Sequence, residues 1–234
     1  TADAYSKEQT GKYIPNTDWQ KAVFQTGFTQ DYNLMYAQGS DHVNMAVGAG
    51  YMDQTGVTAG PDYRRFTARL NADATYNIGK NVTFKIGEND TFQHTEQHET
   101  TGSGFWNALA MPSTIPVYGT AWNDPNASAT DKRDYSFGYG SNTFKTYTEN
   151  PVARQIRYDD FTANNRVIAN AFVELSFFKK VTYKFNGGVD AWFGRHKNFD
   201  KGYTMRLNSV ETHFTDALYD NRDQRITTVL KNTL

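Results

Sequence analysis

Two histidines in this sequence have a spacing that could allow them to bind a metal ion. His94 and His98 lie four residues apart in the stretch HTEQH. That spacing would suit two ligands on one face of a helix, but here it follows a predicted strand. The stretch also lacks the His-Glu-x-x-His order and offers no third ligand. We therefore interpret both histidines as polar loop residues and expect neither a metal ion nor a cofactor.

Several charged residues are of types that serve in acid–base catalysis. Glu174, Lys184 and Asp190 each occupy the polar positions of a stretch that alternates between apolar and polar residues. We find no nucleophile–base pairing, no glycine-rich phosphate loop and no Gly-x-Ser-x-Gly motif. The sequence therefore predicts a protein that is not an enzyme. The role of these charges depends on the secondary-structure elements that carry them.

The composition limits the class of protein. The 234 residues carry a net charge of −1 and no cysteine, so we expect no nucleic-acid partner and no disulfide. No run approaches the roughly 18 apolar residues of a transmembrane helix. The N-terminal stretch is polar throughout, so we expect a mature segment or a piece of a longer protein. Only 38% of residues are hydrophobic although 15% are aromatic, which suits a wall that is apolar outside and wet inside.

The stretch DYRRFTARLNADATYNI, residues 62–78, has the clearest pattern in the chain. Apolar residues from Phe66 to Ile78 fall on one parity, and polar residues fall on the other. This period of two predicts a β-strand with one apolar and one polar face. From Phe66 to Ile78 such a strand spans about 40 Å, or about 28 Å when tilted by about 45°, close to the hydrocarbon thickness of a bilayer.

Six further strands are predicted, and their connections differ systematically in length. With residues 62–78, the predicted strands cover 30–38, 43–51, a stretch from 82, 165–177, 181–193 and 223–234. Tight turns are predicted near 39–41, 78–81 and 178–180, and longer links at 53–61, 95–157 and 194–222. Outer-membrane barrels combine short periplasmic turns with long extracellular loops in this way. A soluble antiparallel sandwich also alternates and stays open as an alternative, but strand length and loop sorting favour the barrel.

Strand parity assigns side chains to two faces of such a wall. The residues expected to face lipid are Phe66, Leu70, Tyr76, Val173, Leu175, Phe185 and Val189. The residues expected to face the lumen are Arg69, Asp73, Glu174, Lys184 and Asp190. Arg64, Arg65 and Arg69 could line a substrate path, but for Arg65 and Arg69 we favour pairing with carboxylates of neighbouring strands.

Two acidic residues break the pattern of the fourth strand. Glu88 and Asp90 fall on the apolar parity after Val82, Phe84 and Ile86. The span could have ended, a bulge could have switched the parity, or protein could cover this face. The sequence leaves these three explanations open.

The long link and the N-terminal lead-in are the two predicted loop regions. Within 95–157 we predict a short helix over Gly104–Met111, and exposed aromatic residues there could stack on a sugar or pack against a partner. The candidates for substrate binding are Trp106, Tyr118 and Trp122; alternatively, these rings fold the loop on itself. In residues 1–30 we predict another short helix, capped by Asn16 or Thr17.

Several short segments together resemble one known family. NTDWQKAVFQTGFTQDYNL is followed by GSDHVNMAVGAGYMDQTGV, by the alternating RLNADATY, and later by Asn107-Ala108-Leu109, Pro116-Val117-Tyr118 and Glu149-Asn150-Pro151-Val152-Ala153. These segments resemble the SusC/RagA-type TonB-dependent transporters, and the resemblance extends over nearly the whole chain.

The resemblance implies an all-β fold in which this chain supplies about seven antiparallel strands of a transmembrane barrel of about 22 strands. Residues 1–30 would be an extracellular loop with a short helix, residues 31–234 a partial barrel, and residues 95–157 a long extracellular loop. It also implies the bacterial outer membrane, import of oligosaccharides or peptides, a SusD-like surface lipoprotein, and TonB acting through a plug that this chain lacks. We therefore expect no transport by this chain alone. The alternative is a soluble or surface carbohydrate-binding β-sandwich or barrel module without a channel.

Overall fold

A computed structural model describes residues 16–99, 103–118, 148–178, 180–202, 204–207 and 210–234. The strands are β1 (Phe28–Gly39), β2 (Val43–Thr55), β3 (Asp62–Ile78), β4 (Val82–Glu99), β5 (Tyr158–Phe177), β6 (Val181–Asp200), β7 (Thr204–Leu207), β8 (Val210–His213) and β9 (Ala217–Thr233). The helices are α1 (Trp19–Val23), α2 (Ser103–Ala110) and α3 (Pro151–Arg157). Within these ranges, no helix has the length and apolar character needed to cross a membrane.

Seven of the strands form one antiparallel sheet. Their order is β1-β2-β3-β4-β5-β6-β9, so neighbours in the chain are neighbours in the sheet. The strands β7 and β8 form a separate hairpin within the connection from β6 to β9. Short turns join β1 to β2, β3 to β4 and β5 to β6, as the sequence predicts. In the β3–β4 turn Gly79 has a φ of 67°, a conformation that glycine adopts without strain.

The register keeps the two side-chain parities on separate faces across the sheet. Leu70 lies between Val47 and Asp90, and Val173 lies between Ile86 and Phe185. We call the face that carries Leu70 the apolar face and the opposite one the polar face. All seven residues predicted to face lipid lie on the apolar face. All five residues predicted to face the lumen lie on the polar face.

The sheet has no hydrophobic core of its own in the part of the chain that the structure describes. Every fully buried apolar side chain there lies outside the seven strands. Large side chains on the apolar face stay open instead, with Phe66 41% and Tyr76 47% exposed. The sheet is therefore a single layer whose apolar face meets no other layer among the described residues.

Glu88 and Asp90 lie on the apolar face without any break in the strand. Glu88 pairs with Ala72 and Ala171, and Asp90 pairs with Leu70 on β3. The register with β5 is continuous from Val82 to Glu99, and that with β3 from Val82 to His98, so the bulge that was one of the three open explanations is absent. Backbone pairing does not depend on the polarity of side chains, which is why the strand continues through two carboxylates.

The strands extend further toward the long connections than the alternating pattern predicts. The strand β5 begins at Tyr158 rather than at residue 165, β6 continues to Asp200, and β9 begins at Ala217. The predicted long link at 95–157 therefore begins only after Glu99. Alternation stops where both faces become polar, but the ladder of backbone hydrogen bonds continues beyond that point.

Candidate functional site

The three helices pack together at the end of the sheet that carries the long connections. Their contact forms the hydrophobic cluster of the described chain, which we call the loop-end cluster. Its buried members are Trp19, Val23, Ala108, Met111, Ile115, Val152 and Ala153. Each helix is short, so tertiary packing of its apolar side must hold it in place. The described parts of the lead-in segment and of the long link therefore form one folded unit.

Polar contacts fix the lead-in helix α1 within the loop-end cluster. Its N-cap is Asp18, whose carboxylate accepts a hydrogen bond from the Lys21 backbone N–H at 2.9 Å. The predicted cap at Asn16 or Thr17 was therefore wrong by one or two residues. The Thr17 hydroxyl instead donates to the Ile115 carbonyl at 2.7 Å, and the Trp19 indole N–H donates to the Pro112 carbonyl at 2.9 Å.

The segment Asn150-Pro151-Val152-Ala153 begins the helix α3. The Asn150 side-chain oxygen accepts hydrogen bonds from the backbone N–H groups of Val152 and Ala153, at 3.1 and 3.2 Å. Its amide nitrogen donates to the Val117 carbonyl at 3.0 Å. Pro151 occupies the first turn, where a missing N–H costs nothing. One buried asparagine thus starts α3 and ties it to the part of the long link that follows α2.

Ionic contacts connect α3 to the sheet. Arg154 binds Asp200 at the end of β6 at 2.8 Å, and Arg157 lies 3.5 Å from Glu149. At the start of β5, burial raises the pKa of the Tyr158 phenol, while a hydrogen bond from the Asn198 amide lowers it. These contacts orient the loop-end cluster relative to β5 and β6.

Part of the loop-end cluster presents aromatic side chains to solvent. Trp106 is 69% exposed and Tyr118 is 59% exposed. Phe105 was not singled out from the sequence. Its ring centroid lies 5.9 Å from that of Phe24, edge-to-face, and 5.8 Å from that of Trp106. The sequence signal for Phe105 was its place beside Trp106 in the short helix predicted over Gly104–Met111. Trp122 lies outside the described residues.

The two histidines of HTEQH do not converge on a common point. Both lie on β4, so their interpretation as loop residues was wrong. They are four residues and so about 13 Å apart along the strand. His94 lies 2.8 Å from the Asn165 side chain and 3.3 Å from Glu96, and His98 lies 2.6 Å from Asp62. Among the described residues, no group of three or more histidine, cysteine, aspartate or glutamate side chains could hold a metal ion.

Most charges predicted for the lumen form pairs across neighbouring strands of the polar face. Lys85 lies 3.4 Å from Asp73, Lys184 lies 3.6 Å from Glu174, and Arg166 binds Asp190 through two hydrogen bonds of 2.6 and 2.9 Å. The favoured pairing of Arg65 and Arg69 is not found: neither has an ion pair within the described ranges.

Arg64 behaves differently from its two neighbours. It lies 3.3 Å from Asp62 and 3.9 Å from Asp53, near the loop end of β3 and on the parity of the apolar face. Its charge is therefore partly balanced within the sheet, and it does not share a face with Arg65 and Arg69.

A single antiparallel layer with one apolar face, one polar face and long connections at one end defines the class of a β-barrel wall segment. No family model matches the chain. The chain is 27% identical to the TonB-dependent receptor SusC of Bacteroides thetaiotaomicron, over 74% of this chain and 18% of that protein. It is 30% identical to the TonB-dependent receptor P3 of Formosa agariphila, over 75% of this chain and 17% of that protein.

Solved structures show the same fold. The RagAB peptide importer in its open-open state aligns over 97% of this chain and 24% of the importer chain, with a TM-score of 0.68 and 19% identity. The closed-closed state gives a TM-score of 0.65 and 20% identity. The chain spans less than a fifth of the length of the curated relatives it matches. These comparisons confirm the resemblance to SusC/RagA-type TonB-dependent transporters, and the sheet has the fold of a segment of such a protein.

Proposed function

We propose that this chain is a wall segment of an outer-membrane, TonB-dependent transporter that imports oligosaccharides or peptides. The observation that carries the proposal is the largely apolar face of an unbroken seven-stranded sheet. Leaving one large apolar side chain in water forgoes about 1.5–3 kcal/mol of burial free energy. A face with this many large apolar side chains is stable only in an apolar environment, and a lipid bilayer is such an environment.

The proposal assigns a solvent to each face of the sheet. The apolar face, with Leu70 and Val189 near its centre, contacts lipid. The polar face, with Asp73 and Asp190, lines the interior of the barrel, where water, a plug or the cargo meets it. The paired charges of that face suit a polar interior, because cross-strand ion pairs keep them balanced at little cost.

The loop-end cluster lies on the extracellular side in this proposal. It unites the lead-in segment within 1–30 with the long link within 95–157, and its exposed Trp106 and Tyr118 form a surface for cargo or for a SusD-like lipoprotein. Rings of this kind combine an apolar face with a polar edge, which suits both sugars and peptides. Energy would come from TonB through a plug supplied by the remainder of the transporter.

The relatives support transport but leave the cargo class open. One relative is named SusC, and the structural neighbour is described as a peptide importer. The rival function is a carbohydrate-binding β-sandwich module, which requires a second sheet packed on the apolar face. The described residues contain no such layer, and this favours the wall over the module.

Cysteine labelling of the full-length transporter in its own membrane tests the assignment of the two faces. This chain has no cysteine, so single substitutions give unambiguous sites within it. A cysteine at Val189 should react with a lipid-soluble maleimide and not with a water-soluble one, whereas Trp106→Cys should react with the water-soluble reagent on intact cells. The proposal is wrong if Val189→Cys reacts with the water-soluble reagent as fast as Trp106→Cys does.

Uptake measurements test the transport function itself. Cells with and without the full-length gene would receive a labelled peptide pool from a digested protein and a labelled pool of mixed oligosaccharides. We expect the gene to raise uptake of at least one pool, and a protonophore to abolish that increase. Equal uptake of both pools in the two strains would count against import.

A further inference from the structure

Two arginines on the polar face stand apart from the paired charges around them. Arg65 lies between Met52 and Thr95, and Arg69 lies between Gly48 and Thr91. None of these four neighbours carries a charge. No ion pair or side-chain hydrogen bond of either arginine occurs within the described part of the chain, whereas Lys85, Arg166 and Lys184 each contact a carboxylate.

Asp31, a carboxylate of that face, forms no ion pair with either arginine within the described residues. Asp31 lies in the same row of the sheet as Arg65, but Met52 on β2 stands between them. Its carboxylate accepts a hydrogen bond from the Asn33 side-chain amide at 2.9 Å. The region around Arg65 and Arg69 therefore keeps an excess of positive charge.

A groove opens beside the two arginines because β2 carries glycines there. The groove has a volume of about 420 Å³, and both arginines line it together with Gly48 and Gly50. At Gly50 a Cβ atom would lie 2.7 Å from both the Asn33 side-chain oxygen and the Thr67 hydroxyl, so these polar groups close over the glycine. At Gly48 a Cβ atom would approach nothing closer than 3.6 Å, so that position is open.

The lining of the groove indicates the chemistry of its ligand. The amides and hydroxyl of Asn33, Thr67, Asn71 and Gln93 line the groove together with the two arginines and with Met35, and no aromatic ring lines it among the described residues. A guanidinium presents a planar fork of N–H donors that matches a carboxylate or a sulfate. A site for neutral sugars would instead be expected to offer an aromatic platform.

We propose that the Arg65–Arg69 groove is a binding subsite for a carboxylate of the transported molecule. This inference rests on the proposed transport function and deepens it, because it specifies an anionic cargo. The two arginines are about 13 Å apart along β3, so the groove accepts either one extended acidic chain or two anionic groups. The carboxylate could belong to an acidic peptide or to an oligosaccharide that contains uronic acid.

Binding of defined probes to the purified full-length transporter tests the inference. One probe pair is a short peptide of alternating Glu and Ala and its Gln counterpart; the other is a trigalacturonate and a neutral trigalactoside. We expect one acidic probe to bind at least about 10-fold more tightly than its neutral counterpart at low salt, since charge-assisted contacts are strong. Which pair shows the preference identifies the source of the carboxylate.

Three variants separate the charge from the shape of the groove. Arg65→Gln combined with Arg69→Gln should remove the preference for the acidic probe. Gly48→Leu should weaken the binding of that probe by filling the groove while both charges stay. Lys85→Gln is the matched control, because it removes a positive charge of the same face that Asp73 already balances. It should leave the preference unchanged.

Several outcomes would overturn the inference. Equal affinity for acidic and neutral probes, or a preference that survives in the double variant, excludes the subsite. Neither result contradicts the proposed transport function. If the double variant keeps the preference but admits a large hydrophilic antibiotic into cells, the arginines hold another part of the transporter rather than cargo. Absence of gene-dependent uptake of the peptide and oligosaccharide pools would instead contradict the transport function itself.

Discussion

The loop-end cluster and the seven-stranded sheet obtain their stability in opposite ways. The cluster buries seven apolar side chains in a small space, although its three helices total only 20 residues across α1, α2 and α3. The sheet leaves large side chains such as Tyr51 and Phe66 about two-fifths exposed. The cluster carries its own core, whereas the sheet depends on what surrounds it.

This difference shows that hydrophobic burial and backbone pairing can be separated within one chain. In the sheet every strand from β2 to β6 is hydrogen-bonded on both sides, so its backbone is satisfied without any core. In the cluster the backbone pairs locally, and side-chain packing positions the helices. Substitutions should therefore act through different physical terms in the two regions.

The largest effect is expected in the loop-end cluster. Trp19→Ala removes a buried ring and its hydrogen bond to Pro112, so it should destabilise the cluster by about 3–5 kcal/mol. Limited proteolysis and hydrogen exchange of the full-length protein would report the loosening at the loop end. The exposed Trp106→Ala is the control and should leave protection unchanged. Equal protection in Trp19→Ala and in the unmodified protein would show that the cluster is not held by its core.

The next effect concerns the apolar face of the sheet. Val189→Arg should lower the free energy of unfolding in lipid vesicles by about 2–4 kcal/mol, because a charge would enter the lipid contact. Val189 is preferable to Leu70 here, since Leu70 faces Asp90 across the strands and an arginine could pair with it. Asn71→Arg on the polar face is the control. If both variants unfold alike, the apolar face does not contact lipid.

The smallest expected effect is a gain in the free energy of unfolding. Glu88 lies on the apolar face between Ala72 and Ala171, where a carboxylate has an unfavourable environment in lipid. Glu88→Leu should therefore raise the unfolding free energy in vesicles by about 1 kcal/mol. Asn89→Leu, one residue along and on the polar face, should bring no gain. A loss of stability in Glu88→Leu would indicate that protein, rather than lipid, covers this position.

The centres of the strands could be predicted because alternation there reflects two different surroundings. Residues such as Phe185 and Lys184 follow that rule directly. The strand ends could not be predicted in the same way, since Asp159 and Asp160 place polar side chains on both faces while the backbone still pairs. That Arg65 and Arg69 have no charged partner among the described residues depends on the register with β2 and β4, which parity within one strand does not reveal.

The length of β5 and β6 determines how far the proposed barrel wall extends beyond the membrane on the outside of the cell. Twenty residues in each strand extend about 66 Å, or about 47 Å along the barrel axis at a tilt of about 45°. The apolar band of an outer-membrane barrel is about 25 Å tall. In the proposed orientation the wall therefore rises about 20 Å above the apolar band and carries the helices with it. Antibodies and phage tail proteins would then encounter this folded rim before they reach the lipid surface.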